Sequence, residues 1–201
     1  MESWEIKGQA LEYDDDTHTY LVDGIIVPSV TQLLHSRFSH KYDNVSEEVL
    51  NNAAERGTRI HQAIENWCKF PHPLYDINGT GGPWPPEVKD FEFLMKKYGY
   101  TALHNELPVI IHIGGYTYAG RMDLVLQGNE IAVADIKTTA TLDKEYLGYQ
   151  LNLYRLGLAQ SYDIVAEKLY GIHLKDGKRK MVEIPVKEEE WLVESLIFPG
   201  V

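Results

Sequence analysis

The chain of 201 residues contains one cysteine, Cys68. A single thiol cannot build an internal disulfide framework, a four-cysteine zinc site or a cysteine-held iron–sulfur cluster. No apolar run approaches the ~18 residues of a membrane-spanning helix, and the acidic start of the chain lacks the apolar stretch of a signal peptide. We therefore expect a protein without a membrane span, in a reducing compartment.

Several motifs of well-known enzyme classes are also missing from the sequence. It has no G-x-x-x-x-G-K-[ST] phosphate loop, which excludes a fused ATP-driven motor of that class. The H-E-x-x-H signature of metalloproteases and the G-x-S-x-G signature of serine hydrolases are absent too.

The negative charge of the chain is unevenly distributed. Lysine and arginine total 19 against 30 aspartate and glutamate, a formal net charge of −11, which by itself argues against a polyanionic partner. Residues 1–23 carry a net −6 and residues 183–194 a net −4, so the segment 24–182 carries only −1. Its charge therefore permits nucleic-acid binding without predicting it.

Hydrophobic periodicity predicts a single domain of the α+β class. The predicted elements are a β-hairpin over 11–27, a short helix capped by Ser29, helices over 46–68 and 87–98, strands over 107–113, 116–127 and 130–136, a helix over 143–158, a hairpin from 168–175 and 180–186, and a last helix over 187–197. We expect a central mixed β-sheet meander flanked by helices. The N-terminal hairpin and short helix occupy 1–45, the core 46–170, and the C-terminal hairpin and helix 171–201.

Turn lengths predict which acidic side chains of the meander face one another. A two-residue glycine turn at 114–115 places Glu106 opposite Asp123. A three-residue turn at 128–130 then places Asp123 opposite Asp135, whereas a turn one residue shorter would put these two on opposite faces. We expect the longer turn.

Because side chains alternate along a strand, Lys137 lies on the same face as Asp135. Opposed residues have Cβ atoms ~4.5–5.5 Å apart, and two carboxylates ~4 Å apart repel by ~4 kcal/mol at an effective dielectric constant near 20. A divalent cation, a shared proton or the ammonium group of Lys137 would relieve such repulsion. If a cation does so, oxygen ligands favour Mg²⁺, Mn²⁺ or Ca²⁺ over Zn²⁺. A cation with open positions is the usual device for phosphodiester hydrolysis, in which Lys137 would orient or deprotonate water, or stabilise the developing charge.

Asp123 followed by Asp135-Ile136-Lys137 resembles the core motif of the PD-(D/E)XK nuclease superfamily, with Met122 at the place of the nominal proline. The stretch from Gln150 to Tyr154 resembles the Q-x-x-x-Y motif of its RecB-like exonuclease branch.

Two upstream segments extend this resemblance. The stretch from Gly57 to His61 is similar to the G-x-x-x-H motif of the same branch, and His18-Thr19-Tyr20 with Pro28-Ser29-Val30-Thr31 looks like phage-encoded members. The similarity runs from about His18 to Tyr170.

The resemblance implies a restriction-endonuclease-like fold and roles for most of these side chains. The implied metal ligands are His61, Asp123, Asp135 and the carbonyl of Ile136. The implied catalytic residues are Asp123, Asp135, Lys137 and Glu106. Gln150 and Tyr154 would contact DNA near the active site or support Lys137. Tyr154 is alternatively an ordinary core aromatic. Arg121 is a candidate phosphate contact by its charge, or else the partner of a nearby acid.

The activity implied by the resemblance is that of a Mg²⁺- or Mn²⁺-dependent DNA exonuclease in phage or prophage recombination or DNA repair. DNA is then the expected partner, and a single-strand annealing protein is a further candidate partner. Formation of an oligomer is possible. The expected location is the cytoplasm, which is that of a bacterial host if the chain is phage-encoded. The alternatives are an endonuclease on the same core and a non-catalytic DNA-binding scaffold.

Overall fold

A computed structural model describes residues 1–38 and 46–197 and confirms the α+β class with a mixed sheet flanked by helices. The strands are β1 (Glu2–Ile6), β2 (Gln9–Asp14), β3 (Thr19–Val22), β4 (Ile25–Val27), β5 (Thr101–Ile113), β6 (Tyr116–Gln127), β7 (Ile131–Lys137), β8 (Lys168–Lys175) and β9 (Lys178–Ile184). The helices are α1 (Val30–Phe38), α2 (Glu47–Lys69), α3 (Pro86–Tyr98), α4 (Lys144–Tyr162) and α5 (Glu189–Leu192), which continues as a π-helical turn, Val193–Ile197. The predicted domain also includes 39–45 and 198–201, which lie outside the described residues.

The strands form two sheets. Strands β1 to β4 make an antiparallel sheet in chain order, and β5 to β9 make a mixed sheet in chain order. All neighbours in the mixed sheet are antiparallel except β7 and β8. Parallel neighbours need a crossover connection, which α4 supplies.

Two apolar layers enclose the mixed sheet. Helices α2 and α3 pack on one face, where the buried strand residues include Leu124, Ala134 and Ile172. Helices α1, α4 and α5 contribute buried residues to the core on the other face, which includes Val125 and Val133. Among the described residues, none of the helices has the length and apolar character to cross a membrane.

The register of the meander follows the predicted turn lengths. The pairs Asn105–Leu124 and Leu107–Met122 flank Glu106 and Asp123, as the two-residue turn requires. The pairs Leu124–Ala134 and Gln127–Ile131 confirm the three-residue turn at 128–130. The shorter turn is therefore wrong.

The N-terminal region contains more sheet than the periodicity predicted. The predicted hairpin corresponds to β2, β3 and β4, and β1 adds a fourth strand, with Leu11 of β2 opposite Trp4 of β1. The turn between β1 and β2 uses Lys7 and Gly8, both with positive φ (49° and 82°). Only glycine adopts this conformation at little cost, so a lysine in the first position does not indicate such a turn. The segment also lacks the Asn-Gly pair that marks such turns, and β1 was therefore not predicted.

Two helix boundaries fit their local chemistry. The Ser29 hydroxyl accepts a hydrogen bond from the Gln32 N–H at 3.0 Å, which confirms the predicted cap of α1. The last predicted helix, over 187–197, is instead four α-helical residues followed by a π-helical turn.

Side chains of α4 seal part of the outer edge of β5. The Ser161 hydroxyl lies 3.1 Å from both the N–H and the carbonyl of Ile110. The Gln160 amide bonds both backbone groups of His112 at 2.8 and 2.9 Å, and the Tyr162 hydroxyl donates to the Pro108 carbonyl at 2.7 Å. The helix thus supplies the hydrogen bonds that a sixth strand would make.

Candidate metal centre

Three predicted site residues converge beside strands β5 and β6 of the mixed sheet. One ligand atom each from His61, Glu106 and Asp123 lies within 4.8 Å of the other two. They come from α2, β5 and β6, so the site depends on the packing of a helix against two strands. Two carboxylates and an imidazole in this arrangement could hold a metal ion.

Glu106 reaches this cluster from a strained backbone. Its φ is +47° in the middle of β5, a conformation that is uncommon for a residue with a side chain. Burial and the nearby Asp123 carboxylate raise the pKa of Glu106 to about 8. Without an added cation, the folded chain therefore holds this carboxyl group largely protonated at neutral pH.

His61 links α2 to strands β6 and β7. Its Nε2 lies 2.9 Å from the Ile136 carbonyl, and its Nδ1 lies 3.5 Å from Asp123 Oδ2. The same Asp123 oxygen accepts a hydrogen bond of 2.7 Å from the Ile136 N–H. Burial lowers the pKa of His61, but the charges of Asp123 and Asp135 outweigh it and raise the pKa.

Asp135 and Lys137 form a pair beside the cluster. Lys137 Nζ lies 2.5 Å from Asp135 Oδ2 and donates to Gln150 Oε1 at 3.1 Å. The Asp135 side chain is 2% exposed, and its Oδ2 has no hydrogen bond of regular geometry within the described residues. Burial and the charge of Asp123 raise the pKa of Asp135 to about 6.

The Lys137 ammonium group stays charged despite its surroundings. Burial lowers its pKa, but the carboxylates of Asp135 and Asp123 outweigh that effect and raise the pKa above its ordinary value. A lysine in this state supplies a fixed positive charge and hydrogen-bond donors, not a base.

Tyr154 lies beneath β6, one helical turn after Gln150. An added Cβ on Gly120 would meet the Tyr154 ring at 2.9 Å, so glycine at this place makes room for the ring. Burial raises the pKa of Tyr154 well above its ordinary value, although hydrogen bonding with Gln150 opposes the effect. Tyr154 is therefore both a core aromatic, as one alternative held, and a neutral hydroxyl next to Gln150.

Apart from Glu106, these side chains line a cavity of about 330 Å³. Its walls include His61, Asp123, Asp135, Ile136, Lys137, Gln150, Tyr154, Arg121, Gly57, Ala53, Ala54, Thr31, Thr138 and Thr139. Besides His61, the wall on α2 consists of small residues, and a Cβ on Gly57 would lie 3.5 Å from the Thr138 hydroxyl oxygen.

Arg121 lines this cavity but is held by the N-terminal sheet. Its guanidinium lies 3.0 Å from a Glu2 carboxylate oxygen and over the rings of Trp4 and Tyr13, at 5.1 and 5.2 Å from their centroids. In the structure, Arg121 is therefore paired with an acid, which was one of its two expected roles. Its contact with a phosphate stays a prediction.

The structure brings the predicted residues together, but not all of them as one ligand set. Asp135 pairs with Lys137 outside the three-residue cluster, and the Ile136 carbonyl bonds His61, so their roles as ligands stay predictions. Sequence reasoning missed the partners of Arg121, since β1 was not predicted. It also missed Tyr146, although Tyr146, Gln150 and Tyr154 follow one another at intervals of four residues, a spacing that puts them on one helix face.

Comparisons with known proteins add little to this geometry. No family model matches the chain, and no curated protein matches it. The crystal structure of SSO0001 aligns with 85% of this chain and 72% of its own, with 18% sequence identity and a TM-score of 0.48. A similarity of that degree carries no argument about function.

Proposed function

We propose that this chain is a metal-dependent DNA nuclease of the PD-(D/E)XK superfamily, of the RecB-like branch, that degrades DNA as an exonuclease. The observation that carries the proposal is the convergence of His61, Glu106 and Asp123 within 4.8 Å, next to the Lys137–Asp135 pair. Recombination or repair of DNA is the corresponding process, and a cytoplasmic location stays a prediction.

The donor atoms fit a divalent cation. Burial without enough counter-charge raises the pKa of Glu106 to about 8 and that of Asp135 to about 6, which is the behaviour of acids brought together for a cation that outcompetes their protons. Carboxylate oxygens favour Mg²⁺ and Mn²⁺, while the imidazole of His61 also suits softer metals. His61, Glu106 and Asp123 would hold the ion, with Asp135 adjacent.

A divalent cation supplies positive charge against the phosphate and lowers the pKa of water. The chain itself contributes the Lys137 ammonium, which Asp135 and Gln150 orient towards the cavity. Because its pKa is raised, Lys137 would stabilise the negative charge that develops on the phosphate rather than remove a proton from water. Gln150 in turn is positioned by the buried face of α4.

The test is the degradation of linear DNA labelled at the 5′ or the 3′ end, with Mg²⁺, with Mn²⁺ and with a chelator. We expect metal-dependent release of label, and loss of about 10²–10⁴-fold in rate for Lys137→Ala, as for removal of a catalytic charge. Lys97→Ala, an exposed lysine on α3, is the matched control and should retain full activity. Undiminished digestion by Lys137→Ala, or by the wild type in chelator, would contradict the proposal.

The same assay separates the alternatives. A covalently closed circle stays intact with an exonuclease and is cut by an endonuclease. A non-catalytic scaffold would leave every substrate intact, and calorimetry would then register no heat on addition of Mn²⁺.

A further inference from the structure

The turn between β8 and β9 is strongly basic and takes no part in the site described above. Residues 175–180 carry four cationic side chains and one acid, a net charge of +3 in a chain whose formal net charge is −11. The turn also lies beyond residue 170, where the resemblance to the nuclease superfamily ends, so that resemblance implies no role for it.

The register of the mixed sheet places three lysines of this turn on the face that carries Lys137. Lys137 of β7 pairs with His173 of β8, and His173 pairs with Lys180 of β9. Lys175 pairs with Lys178 two residues further along. Paired residues point to the same face, and side chains alternate along a strand, so Lys175, Lys178 and Lys180 share this face. We call these three residues the lysine ridge.

The remaining charges of the turn bind it to two helices. On the opposite face of the sheet, Arg179 donates to Asp90 of α3 at 2.7 Å, and its guanidinium lies 3.8 Å from the centre of the Phe93 ring. The acid of the turn, Asp176, lies 3.8 Å from Arg56 of α2. Contacts with α2 and α3 therefore hold the turn, and the lysine ridge has a defined position.

The charge of the lysine ridge is poorly neutralised. Lys178 and Lys180 are exposed, and neither has an ion pair within the described residues 1–38 and 46–197. Lys175 is partly buried, and its Nζ is 3.9 Å from the nearest carboxylate oxygen of Asp176. Lysines on the last strand of a sheet also hinder pairing with foreign strands, which is the alternative role that a test must exclude.

Two contacts connect this hairpin with the rim of the cavity of about 330 Å³ at the candidate metal centre. His173 Nε2 lies 2.7 Å from the Thr139 carbonyl oxygen. Arg56, the partner of the acid in the turn, donates to the Thr138 carbonyl at 3.1 Å. Both threonines line the cavity, and the segment 138–142 contains no charged residue. The rim between the cavity and the lysine ridge therefore adds no acid of its own.

The distance between the ridge and the cavity suits a chain of phosphates. Neighbouring strands lie about 4.8 Å apart, and β9 is two strands from β7 in the sheet, so the ridge lies roughly 10 Å from Lys137. A nucleic-acid strand has one phosphate per about 3.4 Å, so about three to four nucleotides span this distance. One DNA molecule can therefore reach both places.

We infer that the lysine ridge binds the phosphate backbone of DNA about three to four nucleotides from the scissile phosphate, and so holds the substrate on the protein outside the cavity. The ridge recognises phosphate charge, whatever the base sequence. This inference rests on the proposed function, which supplies the polyanion, and adds an attachment surface outside the family motifs.

The first test removes charge from the ridge and measures binding without digestion. A fluorescein-labelled oligonucleotide, single-stranded or duplex, is titrated in a chelator at several salt concentrations, and anisotropy gives the Kd. Each lost lysine–phosphate contact lowers the steepness of log K against log salt by about 0.9 for a duplex and about 0.7 for a single strand. Lys178→Gln combined with Lys180→Gln should lower it by about 1.8 or 1.4, and raise the Kd roughly 25- to 60-fold at about 0.1 M salt. The form of DNA that shows this loss is the one that the ridge holds.

Two control variants make this result specific. Lys178→Arg combined with Lys180→Arg keeps the charge and should bind within about twofold of the wild type. Lys96→Gln combined with Lys97→Gln removes two exposed charges from α3 and should also stay within about twofold. A ridge variant with glutamines that keeps the wild-type Kd and salt dependence would overturn the inference, as would a wild type that binds neither form of DNA.

Size-exclusion chromatography tests the alternative that the lysines only protect the edge of β9. If the glutamine variant of the ridge forms larger species while its DNA affinity is unchanged, edge protection is their role and the inference is wrong. If it elutes like the wild type and has lost DNA affinity, the inference holds.

Digestion of linear DNA separates this inference from the proposed function. The glutamine variant of the ridge should raise KM and keep kcat, because the ridge lies outside the cavity. If the wild type digests DNA and the variant does so with an unchanged KM, only the inference fails. If the wild type does not digest DNA but its DNA binding depends on the ridge, the nuclease activity is wrong and the binding surface is confirmed.

Discussion

The two faces of β7 differ sharply in what they contribute. Ala134 and Ile136 enter the apolar core under α2 and α3. On the other face, Val133 is still apolar core, but Asp135 and Lys137 follow at alternate positions and carry charge. On this face, the strand thus changes from an apolar core residue to a charged residue within two positions.

This difference teaches that the charged end is not there for stability. Burying an ion pair costs desolvation that its attraction often fails to offset, and here burial already raises the pKa of Asp135. The apolar face stabilises the fold, and the charged end keeps a desolvation cost. Three predictions break or sharpen this comparison, starting with the largest effect.

The largest effect should come from breaking the Lys137–Asp135 pair. Lys137→Met leaves a buried carboxylate without its cation and should lower the metal-free free energy of unfolding by as much as about 3–5 kcal/mol. Adding Asp135→Asn to Lys137→Met should restore the free energy of unfolding to within about 1 kcal/mol of the wild-type value, with no recovery of DNA digestion. Urea unfolding without metal measures both.

Leu124→Ala on the apolar face is the control for this prediction. It should cost about 2–5 kcal/mol, while molecules that remain folded keep their activity. A double variant as unstable as Lys137→Met alone would mean that the pair is structural.

The next effect concerns pH. The pKa of Glu106 is about 8 in the folded chain against an ordinary 4.5, so between these values the folded state holds a proton that the unfolded state has lost. Stability must then fall as pH rises through that window, and the raised pKa values of Asp135 and His61 act in the same direction. We expect the metal-free Tm to fall by several degrees from pH 5 to 8, at about 2–4 °C per kcal/mol.

Glu106→Gln should flatten this slope, because it removes the proton that is exchanged. Mn²⁺ should stabilise the wild type more at pH 8 than at pH 5, since it replaces protons. A slope that is unchanged in Glu106→Gln would show that this carboxyl group does not carry the dependence.

The smallest effect should come from Gly57→Ala. Glycine within a helix costs about 0.5–1 kcal/mol relative to alanine, and the added Cβ would lie at an ordinary contact distance from Thr138. The free energy of unfolding should therefore rise by that amount. The added methyl group should also narrow the cavity and lower the rate of digestion. Thermal unfolding and the digestion assay measure the two effects, and a faster, more stable variant would argue that Gly57 has no part in the site.

The meander could be predicted well from the sequence because the number of residues in each turn sets the register of the strands that it joins. Once the turn lengths are known, the positions of Glu106, Asp123 and Asp135 follow from the period of two along a strand. The backbone of Glu106 could not be predicted, because its positive φ depends on the surrounding packing and not on a turn motif.

The environment of Arg121 was harder to predict than the position of the acids. Its partners Glu2 and Trp4 belong to β1, an acidic segment whose pairing with β2 depends on a turn of unusual composition, Lys7-Gly8. Contacts between separate sheets leave no repeating pattern in the sequence, so they cannot be predicted from the spacing of residues.

The helical cover on β5 has a consequence for how this protein meets others of its kind. An exposed strand edge recruits foreign strands and begins aggregation, yet an incoming strand at Pro108 to His112 would first have to displace three side chains of α4. Cutting those side chains back would turn this rim into a docking point for misfolded neighbours.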